Sequence, residues 1–347
     1  MLKCLNLLLV FVLGLSGQMF AATWTQVNTD GFGDANTYRI FGMAVFNNNL
    51  YVGTSNPTSG AEVWSYDGTN WTQVDNGWGG DTNNQIAMCM AVYNGRFYVG
   101  TRNDLVGGEV WKYDGSNWTQ VNTDGFGDFN NYWLYRMAVY NNHLYVSSMN
   151  NNTGGEVWEY DGSNWTQVNT DGFGNVHNFG VTALAIYNNQ IYAGTANTAD
   201  GAQVWRYAGG TSWIRVNTNG FGNPNTTSVT SMIIFNNRLY GAAGNGATGV
   251  EIQEYDGANW NQVNTGGFGD ANNMVAYGMM TFRNRLYVGA ENSNTGAEVW
   301  EYDTNIAMEA VPTMTEWGLI TLIVLLAGAG IFLFRLRAGQ RTPIKSL

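Results

Sequence analysis

The stretch "TWTQVNTDGFG" occupies residues 23–33, and near-copies of it begin around Trp71, Trp118, Trp165, Trp213 and Trp260. Each later copy is preceded by a segment such as "GGEVWKYDGSN" at 107–117. The first copy lacks that segment, and the last such segment, "GAEVWEYD" at 296–303, has no "WTQV" behind it. From Trp24 onward the tryptophans are 47, 47, 47, 48 and 47 residues apart, and residues 107–127 differ from 154–174 only in Lys112 against Glu159. A fixed period of this size signals a propeller, a solenoid or an array.

Each unit reads as four short strands, in the first unit 42–46, 50–54, 61–67 and 71–74. The first two strands are joined by "NNN", "NGR", "NNH", "NNQ", "NNR" or "RNR", links that tolerate the positive φ of a type I′ hairpin. Asp-Gly-x-Asn joins most third and fourth strands. Strands such as "MAVF" and "LYVGT" are apolar on both faces and so require cover on both sides. The sequence therefore predicts an all-β chain: a six-bladed β-propeller over residues 23–306, built from four-stranded repeats. Residues 24–27 would supply the outer strand of the last blade, which explains why the chain starts and stops inside a repeat. An open array would expose blade edges.

The ends carry addresses. Residues 1–22 combine a Lys, an apolar run and small residues, as a secretory signal peptide does. Residues 317–334 are 18 uncharged positions, just enough for a membrane-spanning helix, and 335–347 form a basic tail that would stay in the cytoplasm. Residues 307–316 form a linker leading into the motif "VPTMTEWG" at 311–318. This motif, followed by an apolar helix and arginines, resembles the IPTL-type C-terminal sorting signal of Gram-negative bacteria. Pro312, Thr313, Trp317 and Gly318 match that pattern, whereas Val311 and Met314 depart from it conservatively. The resemblance implies an exosortase-type transpeptidase as partner, a transient stay in the inner membrane, and delivery to the cell surface or an extracellular matrix.

Composition narrows the partners. Residues 23–306 hold 24 acidic and 10 basic side chains, a field that repels phosphate backbones and argues against nucleic acid. The chain has 45 Gly, 14 Trp and 19 Tyr but 4 Pro, which fits a folded protein with turn-rich loops. Beyond Cys4 in the leader, Cys89 is the one cysteine, in the apolar run "IAMCMAVY", and reads as a buried thiol.

Recurrence between copies supplies the candidate site. An Asn follows the second strand in all six: Asn56, Asn103, Asn150, Asn197, Asn245 and Asn292. Across that hairpin stand Glu62, Glu109, Glu156, Glu251 and Glu298, with Gln203 in the fourth copy. The long loop into each first strand offers Asn36, Asn83, Asn130, Asn225 and Asn272, with His177 in the fourth. Propeller topology would crowd these groups on one face. They either hold the turns or, with nearby aromatics, form repeated shallow sites for sugar hydroxyls, strengthened by multivalency. The form resembles tachylectin-like lectin propellers, without a shared motif.

Tyr51 and its five counterparts, and Trp64 with its counterparts except Gln253, are expected to pack between blades. "NTDGFGD" at 28–34 resembles part of a calcium loop but lacks the first acidic ligand and the closing Glu, so no metal or other cofactor is assigned, calcium being the one alternative. His143 and His177 are the only histidines, and no nucleophile motif accompanies them. The expectation is a non-enzymatic, exported module binding glycan or matrix polymer. A structural or protein-adhesion role is the alternative, and a glycan hydrolase the remote one.

Overall fold

The computed structural model describes residues 26–75 and 77–302. The expected signal peptide, Trp24, the sorting residues Pro312, Thr313, Trp317 and Gly318, the helix at 317–334 and the basic tail lie outside these. Among the described residues no helix is long and apolar enough to cross a membrane. The chain divides into two compact units, with the boundary between Phe129 and Asn130.

The first unit holds two antiparallel meanders: β1 (Arg39–Phe46), β2 (Asn49–Ser55), β3 (Val63–Tyr66) and β4 (Trp71–Gln73), then β5 (Asn84–Tyr93), β6 (Arg96–Asn103), β7 (Val110–Tyr113) and β8 (Trp118–Gln120). The second unit holds three more of the same form: β9 (Trp133–Tyr140), β10 (His143–Met149), β11 (Val157–Tyr160) and β12 (Trp165–Gln167), then β13 (Gly180–Tyr187), β14 (Gln190–Ala196), β15 (Val204–Gly209) and β16 (Ser212–Arg215), then β17 (Thr226–Phe235), β18 (Arg238–Asn245), β19 (Glu251–Tyr255) and β20 (Trp260–Gln262). A final meander has three described strands, β21 (Asn273–Phe282), β22 (Arg285–Asn292) and β23 (Glu298–Tyr302).

The first hairpin of each meander turns where two successive residues take positive φ. Asn47 and Asn48 (48° and 65°), Asn188 and Asn189 (48° and 55°), and Arg283 and Asn284 (47° and 64°) illustrate it. Asn pays little for this conformation because its short amide can bond locally. In the outer hairpins the Asp side chain does the work: Asp67 Oδ1 accepts from the backbone N–H of Thr69 and Asn70, both at 2.7 Å. Asp114, Asp161 and Asp256 repeat the arrangement. The 48-residue interval is absorbed here. The β15–β16 turn uses Gly209 and Gly210 at positive φ, and the register slips between Tyr207 and Gly209.

Within each unit successive sheets pack face to face, and the second strands show how closely. Gly53, Gly100, Ser147, Gly194, Ala242 and Gly289 share one register position. A Cβ on Gly53 would stand 2.5 Å from Met90 and 2.7 Å from Ala87 of the next sheet, and one on Gly194 would stand 2.7 Å from Val229. Each such interface buries aromatic and branched side chains, for example Phe46, Tyr51, Val63, Phe97 and Val99 in the first unit and Tyr187, Tyr192, Val204, Val229 and Leu239 in the second. Cys89 is buried in the first unit.

First strands are also bridged by side chains at their bulges. Thr182 Oγ1 donates to Val229 O and Thr230 Oγ1 to Ala276 O, both at 2.6 Å. The Arg136 guanidinium donates to Thr230 O at 2.8 Å, two repeats away.

Two glycines with nearly equal φ separate conformational strain from close approach. Gly107 (+104°) would place a Cβ 2.6 Å from the Gly125 backbone, whereas Gly115 (+105°) has nothing within 4 Å. Gly115→Ala is expected to cost about 1–2 kcal/mol for the forced positive φ. Gly107→Ala should cost roughly 1–3 kcal/mol more for the clash. Urea unfolding midpoints of the two variants provide the check, and equal losses would contradict the close packing of these two loops.

Candidate functional site

The recurrent Asn and Glu residues are brought together in every repeat, inside the loops rather than on their surface. Asn56, Asn103, Asn150, Asn197 and Asn245 are fully buried and Asn292 is nearly so. In each, Oδ1 accepts two backbone N–H groups of the following turn: Thr58 and Ser59 on Asn56, Leu105 and Val106 on Asn103, Asn152 and Thr153 on Asn150. Asn197, Asn245 and Asn292 do the same. Each amide N–H then passes to the long loop. Asn56 donates to Asp34 Oδ2 at 2.8 Å, Asn103 to Asp81 Oδ2 at 2.9 Å, and Asn292 to Asp270 Oδ2 at 3.0 Å.

The carboxylates complete this lattice. Glu109 Oε2 accepts from Asn84 Nδ2 at 2.8 Å and from the indole of Trp111 at 2.7 Å. Glu156 takes Asn131 and Trp158, both at 2.7 Å, and Glu298 takes Asn273 and Trp300. Glu62 takes Trp64. Glu251 lacks an indole, because Gln253 stands there, and accepts instead from Asn223, Thr226, Asn245 and Gln253. In the fourth repeat the neutral Gln203 accepts from Asn178 and Trp205. A hydrogen-bonding acceptor is what this position requires, then, and not a charge.

Sequence comparison missed one member by a single residue. The partners of Glu109, Glu156, Gln203 and Glu298 are Asn84, Asn131, Asn178 and Asn273, with Thr37 and Thr226 at the same position in the other two repeats, and all six are buried. The residues one place earlier, Asn36, Asn83, Asn130, His177, Asn225 and Asn272, are exposed or half-buried. A doublet such as "NN" gives no clue to which member turns inward. On the rim, Asn152 Nδ2 donates to Asn130 Oδ1 at 3.0 Å and Asn294 Nδ2 to Asn272 Oδ1 at 2.9 Å, while His177 Nδ1 meets Asp200 at 3.0 Å.

Next to this lattice lies an aromatic slot. The 3₁₀ turns of "DGFG", "NGFG" and "GGFG" hold Phe32, Phe173, Phe221 and Phe268 at φ of 54–58°, a strained conformation for a bulky residue. Ring packing overcomes the strain. Phe32 stacks on Trp64 at 4.8 Å and meets Trp71 edge-on, Phe173 does likewise with Trp205 and Trp213, and Phe268 stacks on Trp300 at 4.7 Å.

Desolvation pushes the Glu109 carboxyl above the ordinary value of 4.5, against the opposing bonds from Asn84 and Trp111. The folded state then holds its proton more tightly than the unfolded chain does. Stability from this group is fully present below pH 4.5 and is lost as pH rises through the raised value. Glu109→Gln, which copies Gln203, should flatten the pH dependence of the melting temperature between pH 4.5 and neutrality. Glu109→Ala should lose about 1–3 kcal/mol by orphaning the Asn84 amide and Trp111 indole. Thermal melts across that pH range compare the two.

Three comparisons with known proteins bear on this chain. Residues 309–338 match the IPTL-CTERM motif, so the sorting signal read from the sequence is present. The motif implies processing by an exosortase-type system and export to the cell surface. No curated protein sequence matches the chain. Among solved structures it is similar to YCF48 from Cyanidioschyzon merolae, with a TM-score of 0.53 at 9% identity over 81% of this chain and 86% of that one. It is also similar to the extracellular domain of the hybrid two-component system BT3049 from B. thetaiotaomicron, with a TM-score of 0.50 at 11% identity over 76% of this chain and 33% of that one. At such identities the likeness is one of fold: an all-β, propeller-type chain that ends in an IPTL-CTERM sorting motif.

Proposed function

We propose that the chain is a non-enzymatic surface module that binds glycan or matrix polymer through the loop face carrying the Asn lattice. The carrying observation is the division of labour within each loop. Asn56, Asn103, Asn150, Asn197, Asn245 and Asn292, with Glu62, Glu109, Glu156, Glu251 and Glu298, fix the turns, and the rim amides beside them reach solvent. Amide groups both donate and accept, as sugar hydroxyls do, and rim residues held by a buried lattice lose little entropy on binding. Six similar weak sites on one chain would gain affinity together.

The same reading takes the fold as six blades, with residues 24–27 as the fourth strand of the last. In the second unit a groove of about 260 Å³, lined by Val263, Phe268, Leu286, Val288, Trp300 and Tyr302, lies beside β23. Residues at the corresponding positions of other repeats surround Trp71, Trp118 and Trp213, whose indoles donate to Val27 O, Val74 O and Val168 O.

Two measurements test these readings. On a glycan array, the full chain in mild detergent should show saturable binding that weakens several-fold in an Asn130→Ala, Asn272→Ala double variant with an unchanged melting temperature. Silence across the array would move the function to protein adhesion or a structural role. Trp24→Ala should destabilise by about 3–5 kcal/mol, as loss of a packed indole does, and a near-zero change would argue against closure by this strand.

A further inference from the structure

Two adjacent repeats depart from the others at their outer edges, and the departures converge on one groove. The Gln of "WTQV", found as Gln26, Gln73, Gln120, Gln167 and Gln262, is replaced by Arg215. In three copies this Gln donates to an Asp four residues on: Gln26 to Asp30 at 2.6 Å, and Gln120 to Asp124 and Gln167 to Asp171, both at 2.7 Å. Here Arg215 donates to Asn219 at 2.8 Å. A Gln–Asp pair with one negative charge thus becomes an Arg–Asn pair with one positive charge, in a chain of net charge −11.

The second departure is Gln253, which stands where the other copies have Trp. Phe221 therefore has no stacked ring and keeps only the edge contact with Trp260, at 5.3 Å. Trp260 supplies the third. It stacks on Tyr255 at 4.8 Å, as its counterparts do on theirs. Its buried indole N–H, however, has no partner, whereas Trp71, Trp118 and Trp213 donate theirs to a Val carbonyl. Between these residues lies a groove of about 620 Å³, lined among others by Arg215, Asn217, Phe221, Tyr255, Asn259 and Trp260.

We infer that this groove binds an acidic saccharide, a sugar ring bearing a carboxylate. Aromatic faces carry negative charge at their centre, which suits the weakly positive C–H face of a pyranose. A guanidinium presents a planar fork that fits a carboxylate with two parallel bonds. The exposed Asn259 amide can donate to and accept from hydroxyls, and the Trp260 ring beside it lacks the carbonyl that fixes its counterparts. The inference rests on the glycan reading above but places one distinct, charged site on β16 and the β19–β20 hairpin, away from the rim amides.

The test is titration of the full chain, in mild detergent, with an oligogalacturonate, with its carboxyl-reduced counterpart and with polyglutamate. Oligogalacturonate should bind, and Arg215→Gln, which restores the residue of the other repeats, should weaken it about tenfold or more without changing the melting temperature. Carboxyl reduction should cost the native chain as much and the Arg215→Gln variant nothing further. Gln253→Trp, which re-covers Phe221, should also weaken binding. Neutral saccharides binding with both variants unaffected would overturn this site while leaving the glycan reading standing. Binding of no saccharide would overturn both, and equal binding of polyglutamate would show a site for acidic peptide instead.

Discussion

Each loop between a second and third strand turns tightly at the surface around a buried Asn, and the backbone N–H groups of that turn find no strand to pair with. An unpaired buried donor costs about 1–3 kcal/mol. The buried Asn that opens each loop removes two such debts at once by accepting two N–H groups on one oxygen. Its own N–H groups then need acceptors, and they find them in the long loop of the same repeat. The neighbouring Glu or Gln binds that loop to the indole of the third strand. Every member is both held and holding. Removing one leaves its partners buried and unsatisfied, which gives the lattice its rigidity.

Packing imposes a second condition of the same kind. Small residues at the Gly53 position let the next sheet approach, and Phe32 and Phe173 accept backbone strain because two indoles surround each ring. These features repeat because the geometry repeats. A departure in one repeat alone is therefore informative. Where Gln253 replaces Trp, Phe221 loses a stacking partner, and where Arg215 replaces Gln the local charge reverses. Packing alone would be served by the residues the other copies use.

Much of the architecture was legible before any coordinates. The strands fall where the apolar runs stand, because burial on both faces admits no other residues, and the Asn-Asn links turn at positive φ because that preference is local to the residue. The period located each repeat, and the extra residue of the fourth interval was visible as a number. That it is absorbed in the β15–β16 hairpin was not visible, since any exposed turn could have taken it.

The candidate site was less legible. Asn56 and Asn36 both recur as polar loop residues, yet one is sealed inside the turn and the other faces water. Sequence by itself determined the repeat, the hairpin turns and the sorting motif, because these follow from spacing, backbone preference and a short linear pattern. Only the tertiary structure decided which amide of each Asn doublet turns inward, which carboxylates are spent on indoles, and which repeat opens a groove. Those outcomes depend on what neighbouring loops leave unsatisfied, and residues distant in sequence supply those loops.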